Sequence, residues 1–99
     1  AEDCEDTESA VVVTITGDGA PIIASVEWSS EGGDSGIVDC VGECEIRPEE
    51  EGTVDLVVTP ELEEYGDSQA DSVGFSKAQD GKCEEPVYSY IDFSFSSSR

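Results

Sequence analysis

Carboxylates are the most abundant chemically active groups in this chain, which contains no His. Its 99 residues include 25 Asp and Glu against four Lys and Arg, for a formal net charge of -21. Hard cations such as Ca²⁺ take oxygen ligands from acidic loops. The candidate ligands beside predicted turns are Asp18, Glu31, Asp34, Asp67 and Asp71. The alternative is a solvated acidic surface that attracts cations diffusely, which best fits residues 2–8 and 49–51.

Catalysis is not indicated by any of these groups. Carboxylate pairs are so numerous that none stands out for acid/base work without geometry. The serines have no His partner, because the chain has no His. We therefore predict no enzymatic activity, no catalytic residues and no cofactor apart from Ca²⁺.

Four cysteines form the second group with chemical potential: Cys4, Cys40, Cys44 and Cys83. An even count in a short chain from an oxidising compartment predicts two disulfides. Cys40 and Cys44 flank a short loop containing Gly42, and a hairpin there would bring them within bonding reach, which leaves Cys4 to join Cys83. Three pairings are open, and a four-thiolate zinc site is the alternative, although paired CxxC motifs are lacking.

The charge also restricts the partners. Nucleic acid is bound through Lys and Arg, which are few and scattered here, so nucleic acid and anionic lipid are not expected. No stretch reaches the roughly 20 apolar residues of a membrane helix, and membrane insertion is not expected. Since the chain begins at Ala1 and contains no Met, we expect a mature product that is secreted or on the cell surface. A salt-adapted source would give the same acidic composition.

Strand patterns recur along the chain, and helix patterns are nearly absent. Alternation of apolar and polar residues predicts strands with one wet face. The predicted strands cover residues 10–16, 22–29, 37–39, 44–47, 54–59, 70–77 and 87–95, with one helical turn within 61–67. About seven short strands predict one antiparallel, immunoglobulin-like β-sandwich domain over residues 1–99, with residues 1–8 as an acidic arm.

The alternation also assigns side chains to the two faces. Ile22, Ala24, Val26 and Trp28 are expected inside, as are Val54, Leu56 and Val58, and Val87, Ser89, Ile91, Phe93 and Phe95, with Phe75. Tyr88 and Tyr90 fall on the outer face of the last strand, where exposed aromatics mark a contact patch. The alternative is a barrel-like closure that buries both faces.

Two segments resemble transthyretin-like, carboxypeptidase-regulatory-like domains. Residues 14–26 (TITGDGAPIIASV) are similar to the strand, G-x-P turn and A-x-V strand that open these domains. Residues 52–59 (GTVDLVVT), followed by Tyr65 and Gly66, resemble a second segment of the family, although Val54 replaces the usual aromatic. The resemblance covers about half the chain and implies a seven-stranded sandwich used as an accessory or surface module, with no catalytic residues.

Strand addition at an exposed sheet edge is the physical means by which such a domain assembles. We therefore predict a structural subunit of a cell-surface or extracellular filament-like assembly, with copies of itself as partners. The alternative is a binding or adhesion module, Ca²⁺-dependent or not, that presents its loops to another surface protein or a glycan. A secreted inhibitor is a further alternative.

Overall fold

A computed structural model describes residues 8–77 and 86–97. Within these ranges the chain forms eight β-strands and one short 3₁₀ helix, and it forms no α-helix there. The strands are β1 (Ala10–Gly17), β2 (Ala20–Pro21), β3 (Ile23–Ser30), β4 (Ser35–Val41), β5 (Glu43–Ile46), β6 (Gly52–Pro60), β7 (Gln69–Phe75) and β8 (Tyr88–Phe95). The 3₁₀ helix, Glu63–Tyr65, lies within the segment predicted to hold one helical turn.

The strands form two packed layers that are joined at one corner. In the first layer, β1 pairs with β5 and then β2 on one side and with β8 on the other. The second layer has the order β4, β3, β6, β7. The chain passes between the layers at the β4–β5 corner, where Val41 pairs with Glu43. The prediction of an all-β, sandwich-like fold is confirmed.

The pairing of β1 with β8 corrects the prediction of a purely antiparallel sandwich. These two strands run parallel, from Ala10 opposite Tyr88 to Gly17 opposite Phe95. Parallel neighbours cannot be joined by a tight hairpin. The physical reason is that β8 follows a long connection from the other layer, and nothing in its own alternation reveals its direction.

The core lies between the two layers. It is contributed by alternate residues of the long strands: Val11, Val13 and Ile15 from β1, Ile91, Phe93 and Phe95 from β8, Ala24 and Val26 from β3, and Val54, Leu56 and Val58 from β6. Cys40, Ile46 and Phe75 complete it. Burial of apolar side chains on this scale is the main stabilising term of the fold. The predicted inward faces of β3, β6 and most of β8 are confirmed.

Three details differ from the sequence predictions. Val87 precedes β8 and is exposed, because the buried alternation begins only at Ile91. Ser89 and Trp28 are half-buried, and Trp28 packs against the edge of the core. The two-residue strand β2 was not predicted. Residues 1–7 of the predicted acidic arm, with Cys4, lie outside the described residues, as does Cys83.

Candidate functional site

The most exposed edge of the second layer is formed by β4, and we call residues Ser35–Val41 the β4 edge. On one side the whole strand pairs with β3. On the other side, among the described residues, β4 meets another strand only where Val41 pairs with Glu43. A strand edge of this kind presents unpaired backbone N–H and C=O groups.

The backbone groups on that edge can be assigned from the turns that flank the strand. The amide of Ser30 donates to the carbonyl of Asp34 at 2.8 Å, and that of Gly42 donates to the carbonyl of Ile22 at 2.9 Å. Antiparallel pairs alternate between hydrogen-bonded and non-hydrogen-bonded positions. The even-numbered residues of β4 therefore bond to β3. The N–H and C=O groups of Ser35, Ile37 and Asp39 point away from the sheet.

The β4 edge carries little charge for so acidic a chain, as do β7 and β8 with one acid each, and what sets it apart is its exposed aliphatic side chains. Its sequence, SGIVDCV, contains one acid and no Lys or Pro. Ile37 and Val41 are 65% and 68% exposed, which makes them the most exposed aliphatic side chains described. Natural edges are usually protected by charges, Pro or bulges. This edge has only Asp39 for that purpose.

The other long edges are less open. The side-chain amide of Gln69 on β7 donates to the carbonyl of Ser94 on β8 at 2.8 Å. This bond links the edges of the two layers on the side opposite β4. The short strand β5 carries Glu43 and Glu45, and Glu45 forms an exposed ion pair with Arg47 at 2.9 Å. The β4 edge is therefore the most accessible site for a further strand.

A disulfide at one end of β4 and two hydrogen bonds at the other hold the strand in place. Cys40 and Cys44 form a disulfide across the β4–β5 corner, with their Cα atoms 5.4 Å apart, as predicted. At the other end, Asp34 accepts hydrogen bonds from the Ser30 hydroxyl and the Glu49 amide, both at 2.8 Å. These bonds lower the pKa of Asp34 below its ordinary value of 3.8, and the bond from Glu49 has the larger effect. The predicted pairing of Cys4 with Cys83 lies outside the described residues.

The predicted Ca²⁺ ligands are separated by the fold. Asp34 accepts a hydrogen bond from the Glu49 amide in the link before β6, and the carboxylate of Glu31 approaches Gly52, the first residue of β6. Asp18 lies at the opposite end, where it accepts a hydrogen bond from the Ser97 amide at 3.1 Å. Asp67 precedes β7 at that same end, and Asp71 is exposed on β7 itself. In the described part of the chain, no group of three or more acids or cysteines is arranged to hold a metal ion. The Ca²⁺ site stays a prediction.

The two predicted contact tyrosines lie where the alternation places them. Tyr88 is 38% exposed and Tyr90 is 71% exposed on the outer face of β8. Tyr90 pairs with Val12 of β1, and Val12 in turn pairs with Glu45 of β5. A barrel-like closure would bury both faces of β8, whereas the outer face carries these exposed tyrosines. The role of the tyrosines in binding stays a prediction.

No protein-family model, curated protein or solved structure matches this chain. The resemblance to transthyretin-like domains therefore stays a prediction that rests on residues 14–26 and 52–59. Within the described ranges, none of the helical structure is long and apolar enough to span a membrane.

Sequence reasoning did not single out the β4 edge, although a signal for it was present. Ile37, Asp39 and Val41 alternate with Val38 and Cys40, which marks a strand longer than the predicted residues 37–39. Alternation alone does not show which strand ends a sheet. That property depends on long-range pairing, and it appears only in the order of strands.

Proposed function

We propose that this protein is a non-enzymatic structural subunit of a cell-surface or extracellular assembly and that its copies associate by strand pairing at the β4 edge. The observation that carries this proposal is the edge itself, with outward backbone groups at Ser35, Ile37 and Asp39 and two exposed aliphatic side chains. Strand addition gives affinity through main-chain hydrogen bonds and specificity through alternate side chains.

An antiparallel pairing of two β4 edges has a preferred register. If the pairing is centred on Val38, Ile37 of one copy lies opposite Asp39 of the other, and Ser35 lies opposite Val41. A register centred on Asp39 instead places two carboxylates face to face, which is destabilising. In the register centred on Val38, the exposed Val41 of each copy is also covered, one at each end of the paired segment.

Pairing of identical edges closes as a two-fold dimer. A filament needs a second, different edge on each copy. The β7 strand is one candidate, because it forms the other edge of the same layer and pairs only with β6 among the described strands. Pairing of β4 with β7 of the next copy would be a head-to-tail contact that can continue.

Charge opposes any such assembly, since each copy carries a net charge of -21. Salt shortens the range of this repulsion, from about 30 Å at 0.01 M to about 3 Å at 1 M ionic strength. We therefore expect association to increase with ionic strength. The Cys40–Cys44 disulfide is compatible with the oxidising environment that an extracellular subunit requires.

Sedimentation velocity of the full chain, over a series of protein and salt concentrations, tests the proposal. The wild type is expected to form dimers or larger species as salt rises. Ile37→Asp places a charge on the edge and should keep the chain monomeric under the same conditions. Val57→Asp is the matched control, because Val57 is exposed on the same face but lies on β6, between β3 and β7.

The two variants each remove one exposed aliphatic side chain and add one negative charge. A wild type that stays monomeric at every concentration and ionic strength would overturn the proposal. Equal loss of association in both variants would also overturn it, because the effect would then be one of charge and not of the edge.

A further inference from the structure

A groove with apolar walls lies at the end of the sandwich away from the β3–β4 loop, and we call it the Leu62 groove. Its volume is about 300 Å³, and it is lined by Pro21, Ile22, Ile23, Glu61, Leu62 and Tyr65. Leu62 is 53% exposed and Ile23 is 46% exposed. These side chains belong to two separate segments, residues 21–23 from β2 to the start of β3 and the link between β6 and β7.

The walls of the groove are held in place by the fold. The Glu61 amide donates to the Ile23 carbonyl at 3.0 Å, which fixes the two segments against each other. The Tyr65 amide donates to the Leu62 carbonyl at 3.2 Å and closes the 3₁₀ turn. The Tyr65 ring packs over Gly17, next to Ile22. A groove that is formed before binding loses little conformational entropy when a ligand enters.

Acidic side chains surround this apolar surface. Glu61 lines the groove, Glu63 follows Leu62 directly, and Val41, the strand partner of Ile23, lies between Asp39 and Glu43. The two cationic residues in the described ranges are engaged elsewhere. Arg47 pairs with Glu45, and Lys77 donates to the backbone carbonyl of Glu49.

This charge arrangement selects the occupant. A second copy of the chain would bring its own net charge of -21 to the same acidic rim, and here no main-chain hydrogen bonds of the kind available at the β4 edge would offset the repulsion. A segment with Lys or Arg on either side of an aliphatic side chain satisfies both features of the surface. Complementary charge also speeds the encounter between two such partners.

We propose that the Leu62 groove is a docking site for a basic segment of another protein. An aliphatic side chain of that segment inserts between Leu62 and Ile23, and its flanking cationic groups face Glu61 and Glu63. The groove is too small for a large interface, so binding is of the weak, transient kind that small interfaces support. The groove adjoins the Val41 end of the β4 edge, but none of its lining residues belongs to β4, and the proposal does not depend on self-association.

The test uses a synthetic peptide, KKLLKK-amide, with a fluorescent label on its N-terminus for anisotropy titration. Two further peptides serve as ligand controls: KKSSKK, which keeps the charge, and EELLEE, which keeps the leucines. The protein variants are Leu62→Ser and, as the matched control, Val57→Ser on the outer face of β6. Both replace an exposed aliphatic side chain that the fold does not need in its core.

The wild type is expected to bind KKLLKK saturably, and high salt should weaken that binding. Leu62→Ser should weaken it about fivefold, which corresponds to losing contact with about half of one leucine side chain. Val57→Ser should bind as the wild type does, and EELLEE should not bind. Amide chemical shifts of Ile23 and Leu62 should move on titration with KKLLKK.

Three results would overturn the proposal. Equal binding of KKSSKK and KKLLKK would mean that the attraction is diffuse electrostatics. Equal weakening by Leu62→Ser and Val57→Ser would place the contact elsewhere, and no saturable binding would remove the site. Sedimentation of Leu62→Ser keeps the two proposals apart, because this variant should still associate through its β4 edge.

Discussion

The ring of Tyr65 occupies the space that any side chain at position 17 would need. A Cβ atom built on Gly17 would lie 2.5 Å from Cε1 of Tyr65 and 2.8 Å from Cγ2 of Ile22. Gly17 ends β1, and Tyr65 ends the 3₁₀ helix that follows β6. Glycine at this position therefore lets the link between β6 and β7 pack directly onto the backbone of the other layer.

Gly17→Ala should destabilise the protein by about 1–3 kcal/mol, the usual cost of overpacking a close contact. Urea unfolding measures the change. Gly74→Ala is the matched control, because nothing lies within 4 Å of its added Cβ, and it should stay within about 0.5 kcal/mol of the wild type. When Tyr65 is already replaced by Ala, the Gly17→Ala substitution should cost less stability than it does in the wild type, because the ring that clashes with the methyl group is gone. Strictly additive effects of the two substitutions would contradict the proposed contact.

The contact between Gly17 and Tyr65 also marks how far the sequence could predict this fold. Local alternation identified β3 and β6 and most of the core, because a strand with one buried face repeats every second residue. The Cys40–Cys44 hairpin followed from spacing. The parallel pairing of β1 with β8 did not follow, since it joins residues almost 80 positions apart and depends on the path of the chain between layers.

The candidate sites were less predictable than the core for a related reason. The sequence predicts Asp34 as a metal ligand because it lies in an acidic loop, yet its carboxylate accepts a hydrogen bond from the Glu49 amide, 15 residues away. The sequence does not point to Leu62, since one exposed leucine in an acidic linker has no periodic pattern. Its position beside Ile23 arises only when the linker packs onto β3.

Asp34 should make stability depend on pH in a defined direction. The hydrogen bonds from Glu49 and Ser30, with a smaller attraction from Lys77, lower its pKa in the folded state. A carboxylate whose pKa is lower in the folded state stabilises the fold at pH values above its ordinary pKa. This contribution is lost as the pH falls through the pKa of the folded state. The difference in unfolding free energy between the wild type and Asp34→Asn should therefore be constant near neutral pH and shrink below about pH 4.

Comparison with a variant is necessary because the stability of a chain with 25 Asp and Glu residues can depend on pH for reasons other than Asp34. Asp92→Asn, on the exposed outer face of β8, is the matched control. It should stay within about 0.5 kcal/mol of the wild type near neutral pH. Urea unfolding at a series of pH values gives both differences. A difference for Asp34→Asn that does not vary with pH would contradict the assigned hydrogen bonds.

The Cys40–Cys44 disulfide should stabilise the corner between the two layers. Its loop is short, with a sequence separation of 4, so the chain-entropy model gives only about 2 kcal/mol. The double variant Cys40→Ala/Cys44→Ser tests this, since alanine suits the fully buried position 40 and serine suits the half-buried position 44. Thermal unfolding should show a lower Tm with the sandwich retained. The contribution of the bond is refuted by an unchanged Tm.

The β4 edge allows one substitution that separates strand addition from every other mode of association. The amide of Ile37 points away from β3, so Ile37→Pro removes a donor from the edge without removing a bond from the sheet. We expect this variant to keep its fold, by circular dichroism, and to lose association at every ionic strength.

Ala70→Pro is the counterpart on β7. The Glu31 amide donates to the Thr53 carbonyl, so the odd-numbered residues of β6 bond to β3 and the even-numbered ones bond to β7. Ala70 lies opposite Val57, which bonds to β3, so the Ala70 amide points away from β6. If β4 pairs only with β4, Ala70→Pro should form dimers like the wild type. If β4 pairs with β7 of the next copy, it should stop growth as completely as Ile37→Pro does. Association that persists in a folded Ile37→Pro variant would exclude strand pairing at β4, because proline cannot supply the missing hydrogen bond.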